Sequence, residues 1–126
     1  MNKLSKKKSK NIINYICKAP KSILLFTADW CHACKEINVL FDDVSNKLNS
    51  ECYFKKINID NELFESITLQ YKIVTIPTLT IITNGKIKNT ISNINKDVFN
   101  NIIKTELNTN NVPDKFTESK CSVLSN

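Results

Sequence analysis

One glycine, one histidine, one tryptophan and no arginine stand among the 126 residues of this chain. With Gly85 as the sole glycine, no glycine-rich loop can cradle a phosphate, and no cofactor is expected. Without arginine, the bidentate reader of phosphate and guanine is missing, so nucleic-acid binding is not expected. No run of about 18 apolar residues occurs, which excludes a membrane-spanning helix from the expectations. None of the 18 asparagines begins an Asn-x-Ser/Thr sequon. The charged opening of residues 1–10 is followed by no apolar segment of the kind a secretory signal needs. These absences point to a reducing, cytoplasmic setting, where closely paired cysteines serve chemistry more often than structure.

Lysine supplies every positive charge: 18 lysines against 12 acidic residues give a net charge of +6. Five of the lysines lie in the first ten positions, so much of the excess belongs to a solvated tail. Asparagine, isoleucine and lysine fill 53 of the 126 positions, a bias that reflects A/T-rich coding. The length suits one domain with one core, and a monomer is expected. Five cysteines is an odd number, so they cannot all pair within one chain.

Two of those cysteines carry the strongest signal. Trp30-Cys31-His32-Ala33-Cys34-Lys35 follows the apolar run Ile23-Leu24-Leu25-Phe26, at the point where a helical pattern begins. Helix positions three apart share a face, with β-carbons roughly 5–6 Å apart. A small adjustment then permits a disulfide. A thiol at a helix N-terminus meets unpaired amides and the positive end of the macrodipole, which favour the thiolate. Half of a zinc site and two buried structural thiols are the competing readings. A zinc site would have to recruit the distant single cysteines Cys17, Cys52 and Cys121.

Along the chain, residues 1–8 read as a disordered basic tail. Ile12, Ile13, Ile16 and Cys17 predict a helix over 9–18, with Ser9 or Asn11 as its cap. Residues 22–28 read as a buried strand. A helix follows from Cys31 to Leu48 by the spacing of Cys34, Ile37, Leu40, Phe41, Val44 and Leu48. A strand over 52–59 precedes a short helix carrying Leu63, Phe64, Ile67 and Tyr71. Strands over 79–83 and 86–92 flank Asn84-Gly85, a hairpin signal. Val98, Phe99, Ile102, Ile103 and Leu107 define a last helix. Residues 108–126 read as a polar, mobile tail, leaving one domain over 9–107. Cys17 and Cys52 are expected as buried thiols, and Cys121 as an exposed one. Helix-separated strands imply parallel crossovers, and the hairpin adds an antiparallel edge. The expected fold is an α/β sandwich, a sheet of about four strands with helices on both faces.

With these motifs in this order, the chain resembles the thioredoxin family. The resemblance spans about residues 9–107. It is carried by Phe26-Thr27-Ala28-Asp29-Trp30-Cys31-His32-Ala33-Cys34-Lys35, Lys56-Ile57-Asn58-Ile59-Asp60, Thr75-Ile76-Pro77-Thr78 and Asn84-Gly85-Lys86. It implies a thioredoxin fold and a protein thiol–disulfide oxidoreductase. Cys31 would attack and Cys34 resolve. Trp30 would shield the pair and contact substrate. Pro77 would be a cis-proline, leaving the backbone of Ile76 to pair with an extended peptide. The implied partners are proteins bearing disulfides or thiols, together with an electron donor or acceptor.

Several positions depart from the family pattern. The buried acid that takes the resolving thiol's proton would fall at Leu25, so Cys34 needs another route: a water, Lys56 or His32. His32, if cationic, would stabilise the Cys31 thiolate. The helix proline would fall at Val39, and the usual first strand in the polar residues 2–8. Two other functions stay open: a weakly catalytic peptide-binding module, and a component of a viral or parasite disulfide relay.

Overall fold

The computed structural model describes residues 3–50 and 52–107. The N-terminal helix α1 spans Lys3–Lys18. It therefore begins well ahead of the expected 9–18, inside the stretch that reads as a disordered tail. Lysine is a good helix former, and neither glycine nor proline interrupts the chain before Pro20. The apolar stripe of Ile12, Ile13 and Ile16 docks on the sheet and holds the lysine-rich turns in register. Ser9 is not the cap: it lies inside α1, buried, and its Oγ accepts the Ile67 N–H at 3.0 Å. Pro20 follows α1, as a residue that cannot continue a helix.

Strand β1 (Lys21–Thr27) is almost wholly buried. It is followed by α2 (Cys34–Leu48), β2 (Tyr53–Asn58), a 3-10 turn (Glu62–Phe64), α3 (Glu65–Gln70), β3 (Thr78–Thr83), β4 (Lys86–Ser92) and α4 (Lys96–Leu107). The strand order is β2-β1-β3-β4. Only β1 and β2 pair in parallel; β3 runs antiparallel to β1, and β4 to β3. The parallel crossover expected between β2 and β3 is not formed. Six residues of helix rise about 9 Å, against roughly 20 Å for a six-residue strand. α3 is too short to carry the chain back along the sheet, so β3 starts where β2 ends. The hairpin turn between β3 and β4 is as expected, with φ of 52° at Asn84 and 80° at Gly85.

Alternation along β1 divides the core. Leu24 and Phe26 face α1 and α3, among Ile12, Ile16, Ile57 and Ile67. Ile23 and Leu25 face α2 and α4, among Ile37, Phe41, Phe99 and Ile103. Among the described residues, no helix is long and apolar enough to cross a membrane. Cys52 is buried, as expected. Cys17 is half-buried and disulfide-bonded, which corrects the thiol expected there. Cys121 and the rest of the expected C-terminal tail lie outside the described residues.

Candidate redox site

The end of β1 and the start of α2 build the site. After Thr27 the chain turns tightly: the Cys31 N–H bonds the Ala28 carbonyl, and the Cys34 N–H bonds the Cys31 carbonyl, each at 3.2 Å. The helix proper begins at Cys34, three residues later than the sequence pattern suggests. Cys31 therefore sits one turn ahead of α2, at the helix's N-terminal end, where the macrodipole is positive. Ala33 holds the N-cap position and supplies no side-chain bond to those amides. Cys31 and Cys34 are joined by a disulfide, with Cα atoms 5.2 Å apart. Cys31 is 6% exposed and Cys34 is sealed at 0%.

Around the pair, Ala28 completes a small apolar cluster against which Ile59 and Ile76 pack. The Ile76–Pro77 peptide bond is cis, and Pro77 is buried. The Pro77 carbonyl accepts the Ile94 N–H at 3.3 Å, tying this loop to the segment after β4. Trp30 is not a core aromatic: it is 68% exposed, and its indole N–H donates to Asp60 Oδ2 at 2.5 Å. Asn58 supports both neighbours, accepting the Asp60 N–H at 2.9 Å and donating to Asp29 Oδ1 at 3.3 Å. His32 is exposed beside Cys31.

Leu25 is fully buried and in register with Lys56 of β2. Lys56 reaches α2 instead, where its Nζ lies 2.9 Å from both carboxylate oxygens of Asp42. Val39 is exposed on the uninterrupted α2. Trp30, Cys31, Cys34, Ile76 and Pro77 thus meet at one end of the sheet. His32 borders them, and Lys56 lies deeper along α2. Sequence reasoning missed Asp60 and Asn58 as the groups that hold the tryptophan. It also missed Thr27 and Asn38, whose buried oxygens Oγ1 and Oδ1 have no hydrogen-bond partner. Position Asn38, one turn beyond Cys34, was the available signal. A cleft of about 450 Å³ bordered by Pro20, Asn49 and Cys52 opens at the opposite end of β1. Among the described residues no cluster of three or more His, Cys, Asp or Glu side chains could hold a metal ion.

The thioredoxin family profile matches residues 2–105. The chain belongs to the thioredoxin family. A thioredoxin of Borreliella burgdorferi is 32% identical over 84 residues, covering 66% of this chain and 70% of that protein. The solved thioredoxin of Plasmodium falciparum superposes with a TM-score of 0.69 at 23% identity, over 77% of this chain and 92% of that one. Mitochondrial thioredoxin 3 of Saccharomyces cerevisiae, in its oxidised form, gives 0.66 at 21% identity, over 76% and 88%. At those identities the two structures show the shared fold. Family membership and the bonded cysteine pair together make this thioredoxin-fold chain a protein-disulfide oxidoreductase.

Proposed function

We propose that Cys31 and Cys34 are the working dithiol of a Cys-His-Ala-Cys couple, with Cys31 attacking and Cys34 resolving. The observation that carries this assignment is their unequal burial, 6% against 0% exposure within one disulfide. In reduction, the Cys31 thiolate attacks one sulfur of a substrate disulfide. That bond breaks, and the other substrate sulfur leaves as a thiolate that takes a proton from solvent. Cys34, as its thiolate, then attacks Cys31 Sγ. The mixed disulfide breaks, the second substrate sulfur leaves with the electron pair, and the Cys31–Cys34 bond closes. Two electrons pass to the substrate. The same steps reversed insert a disulfide, and the direction follows the reduction potential of the couple against its partner.

Trp30, the backbone of Ile76 and Pro77 are the substrate-contacting groups in this reading. Trp30 presents an apolar face held by Asp60, and Ile76, next to cis-Pro77, packs against the disulfide cluster. A cytoplasmic reductase working on protein disulfides is the physiological role proposed. Insulin-disulfide reduction tests the assignment: Cys31→Ser abolishes it, and retained turnover in that variant overturns the nucleophile. The alternative, a peptide-binding module with little redox turnover, draws on buried Leu25, which accepts no proton. Wild-type turnover no faster than free dithiothreitol supports that module instead.

A further inference from the structure

We propose that Cys17 and Cys121 form a second disulfide, which fastens the C-terminal segment to the end of α1 and opens or closes with the redox state of the surroundings. Cys17 is disulfide-bonded. Cys31 and Cys34 are bonded to each other. Cys52 keeps its thiol, which donates to the Tyr53 carbonyl at 3.6 Å. It also lies across the sheet from Cys17. Cys52 packs with Ile23, Leu25 and Phe41 on the α2 side, whereas Cys17 packs against the α1-side cluster that holds Ile16 and Leu24. Of the five cysteines, elimination leaves Cys121 as the partner.

The fold starts the C-terminal segment at the right place. α4 ends at Leu107, and its last turn is fastened beside the start of β1. There Lys21 Nζ donates to the Glu106 carbonyl at 2.7 Å and to its carboxylate at 3.1 Å. Lys21 follows Cys17 by four residues, a separation of at most about 15 Å. From Leu107 to Cys121 the chain can reach roughly 50 Å, so it returns to Cys17 without displacing α4. Cys17 is half-buried and Lys18 beside it is exposed, which leaves the α1 end open to a second sulfur. Cys17 precedes β1 and Cys31 follows it, and a strand of that length separates them by about 20 Å. The bond therefore lies outside the redox site and does not depend on the roles given to Cys31 and Cys34.

Closure is an exchange with a low-molecular-weight disulfide such as oxidised glutathione. The Cys17 thiolate attacks one sulfur of that disulfide, its S–S bond breaks, and the other sulfur leaves as a thiolate. The Cys121 thiolate then attacks Cys17 Sγ and displaces the second. Cys17 and Cys121 each give a proton to solvent, and two electrons pass to the reagent, which ends as two thiols. A reducing compartment keeps the bond open and an oxidising one keeps it closed. When closed, it ties a loop of about 100 residues in the unfolded chain, but only the short segment after Leu107 in the folded one. The unfolded state loses more entropy, so closure stabilises the fold.

Peptide mapping tests the pairing, because lysines separate the cysteines. Trypsin leaves Cys17 in residues 11–18, Cys31 and Cys34 together in 22–35, Cys52 in 48–55 and Cys121 in 121–126. The full chain, equilibrated with oxidised glutathione, is blocked with N-ethylmaleimide in denaturant, digested without reductant and weighed. The expected result is 11–18 joined to 121–126, with Cys52 labelled. Cys17→Ser and Cys121→Ser are each expected to lower the thermal midpoint of the oxidised chain by about 5–10 °C, and the double variant no further. In dithiothreitol all four proteins should melt together. Labelled Cys17 and Cys121, or 11–18 joined to 48–55, overturns the pairing, and this mapping needs no variant to fold. A link found only in a species of twice the chain mass overturns it also. Equal midpoints for the oxidised wild type and both single variants overturn the fastening. A labelled 22–35 beside an intact link between 11–18 and 121–126 counts against the Cys31–Cys34 couple and supports the second bond.

Discussion

The indole of Trp30, the residue before Cys31, is tethered to the carboxylate of Asp60, thirty residues further on. The tether fixes an exposed aromatic that would otherwise sample several rotamers. Asn58 holds Asp60 in turn, so the end of β2 sets the orientation of the ring.

Removing the tether should act on substrate contact more than on chemistry. Asp60→Ala is expected to raise KM for a protein disulfide about threefold to tenfold, in line with about 1 kcal/mol for one solvent-exposed hydrogen bond, and to leave kcat nearly unchanged. Trp30 is the sole tryptophan, so its emission reports the change directly. The spectrum of Asp60→Ala should shift, and that of Asp60→Asn should shift less because an acceptor remains.

Glu106 on α4 sets a pH-dependent part of the stability. Burial pushes its carboxyl up, but hydrogen bonds and charge from Lys21 and Lys88 outweigh this and hold it below the ordinary 4.5. A depressed carboxylate adds stability that is fully present above its unfolded value and lost as pH falls through the folded one. Lys88 is half-exposed, so solvent screening discounts its share and the net gain is about 1 kcal/mol. Glu106→Gln should lower unfolding free energy by about that amount at pH 7. In urea titrations the gap between the two proteins should stay constant above about pH 5 and close as the solution is acidified below it.

Ser9 stitches α1 to α3. Ser9→Ala would leave the buried Ile67 N–H without its acceptor, a loss of about 1–3 kcal/mol. Thermal unfolding should show a lower midpoint, with insulin reduction unchanged at temperatures where the variant stays folded. A midpoint equal to wild type would contradict the role given to this contact.

The fold was legible because its signals were periodic. The α2 stripe of Cys34, Ile37 and Phe41 and the continuous apolar run of β1 required a helix and a buried strand. Asn84-Gly85 required a turn with positive φ at both positions, and both have it. What escaped depended on contacts distant in sequence. The start of α1 was hidden because its lysine turns carry no apolar period, and only docking through Ile12, Ile13 and Ile16 secures them. Ser9 looked like a cap because its bond to Ile67, 58 residues away, leaves no local trace. The direction of β3 followed from the brevity of α3, which the apolar pattern overstated by running on to Tyr71. At the site, the cysteines and the Ile76–Pro77 step were readable as motifs. The ties of Trp30 to Asp60 and of Lys56 to Asp42 were not, because each joins separate elements.

The most direct measurement is a pH titration of thiolate absorbance in the fully reduced chain, compared with Cys31→Ser and Cys34→Ser. The expected result is one thiolate forming well below the ordinary thiol value of about 8.5, lost in Cys31→Ser and kept in Cys34→Ser. A Cys31 sulfur that stays protonated up to about pH 9, or a low-pH thiolate that survives Cys31→Ser, would contradict the nucleophile on which the mechanism is built.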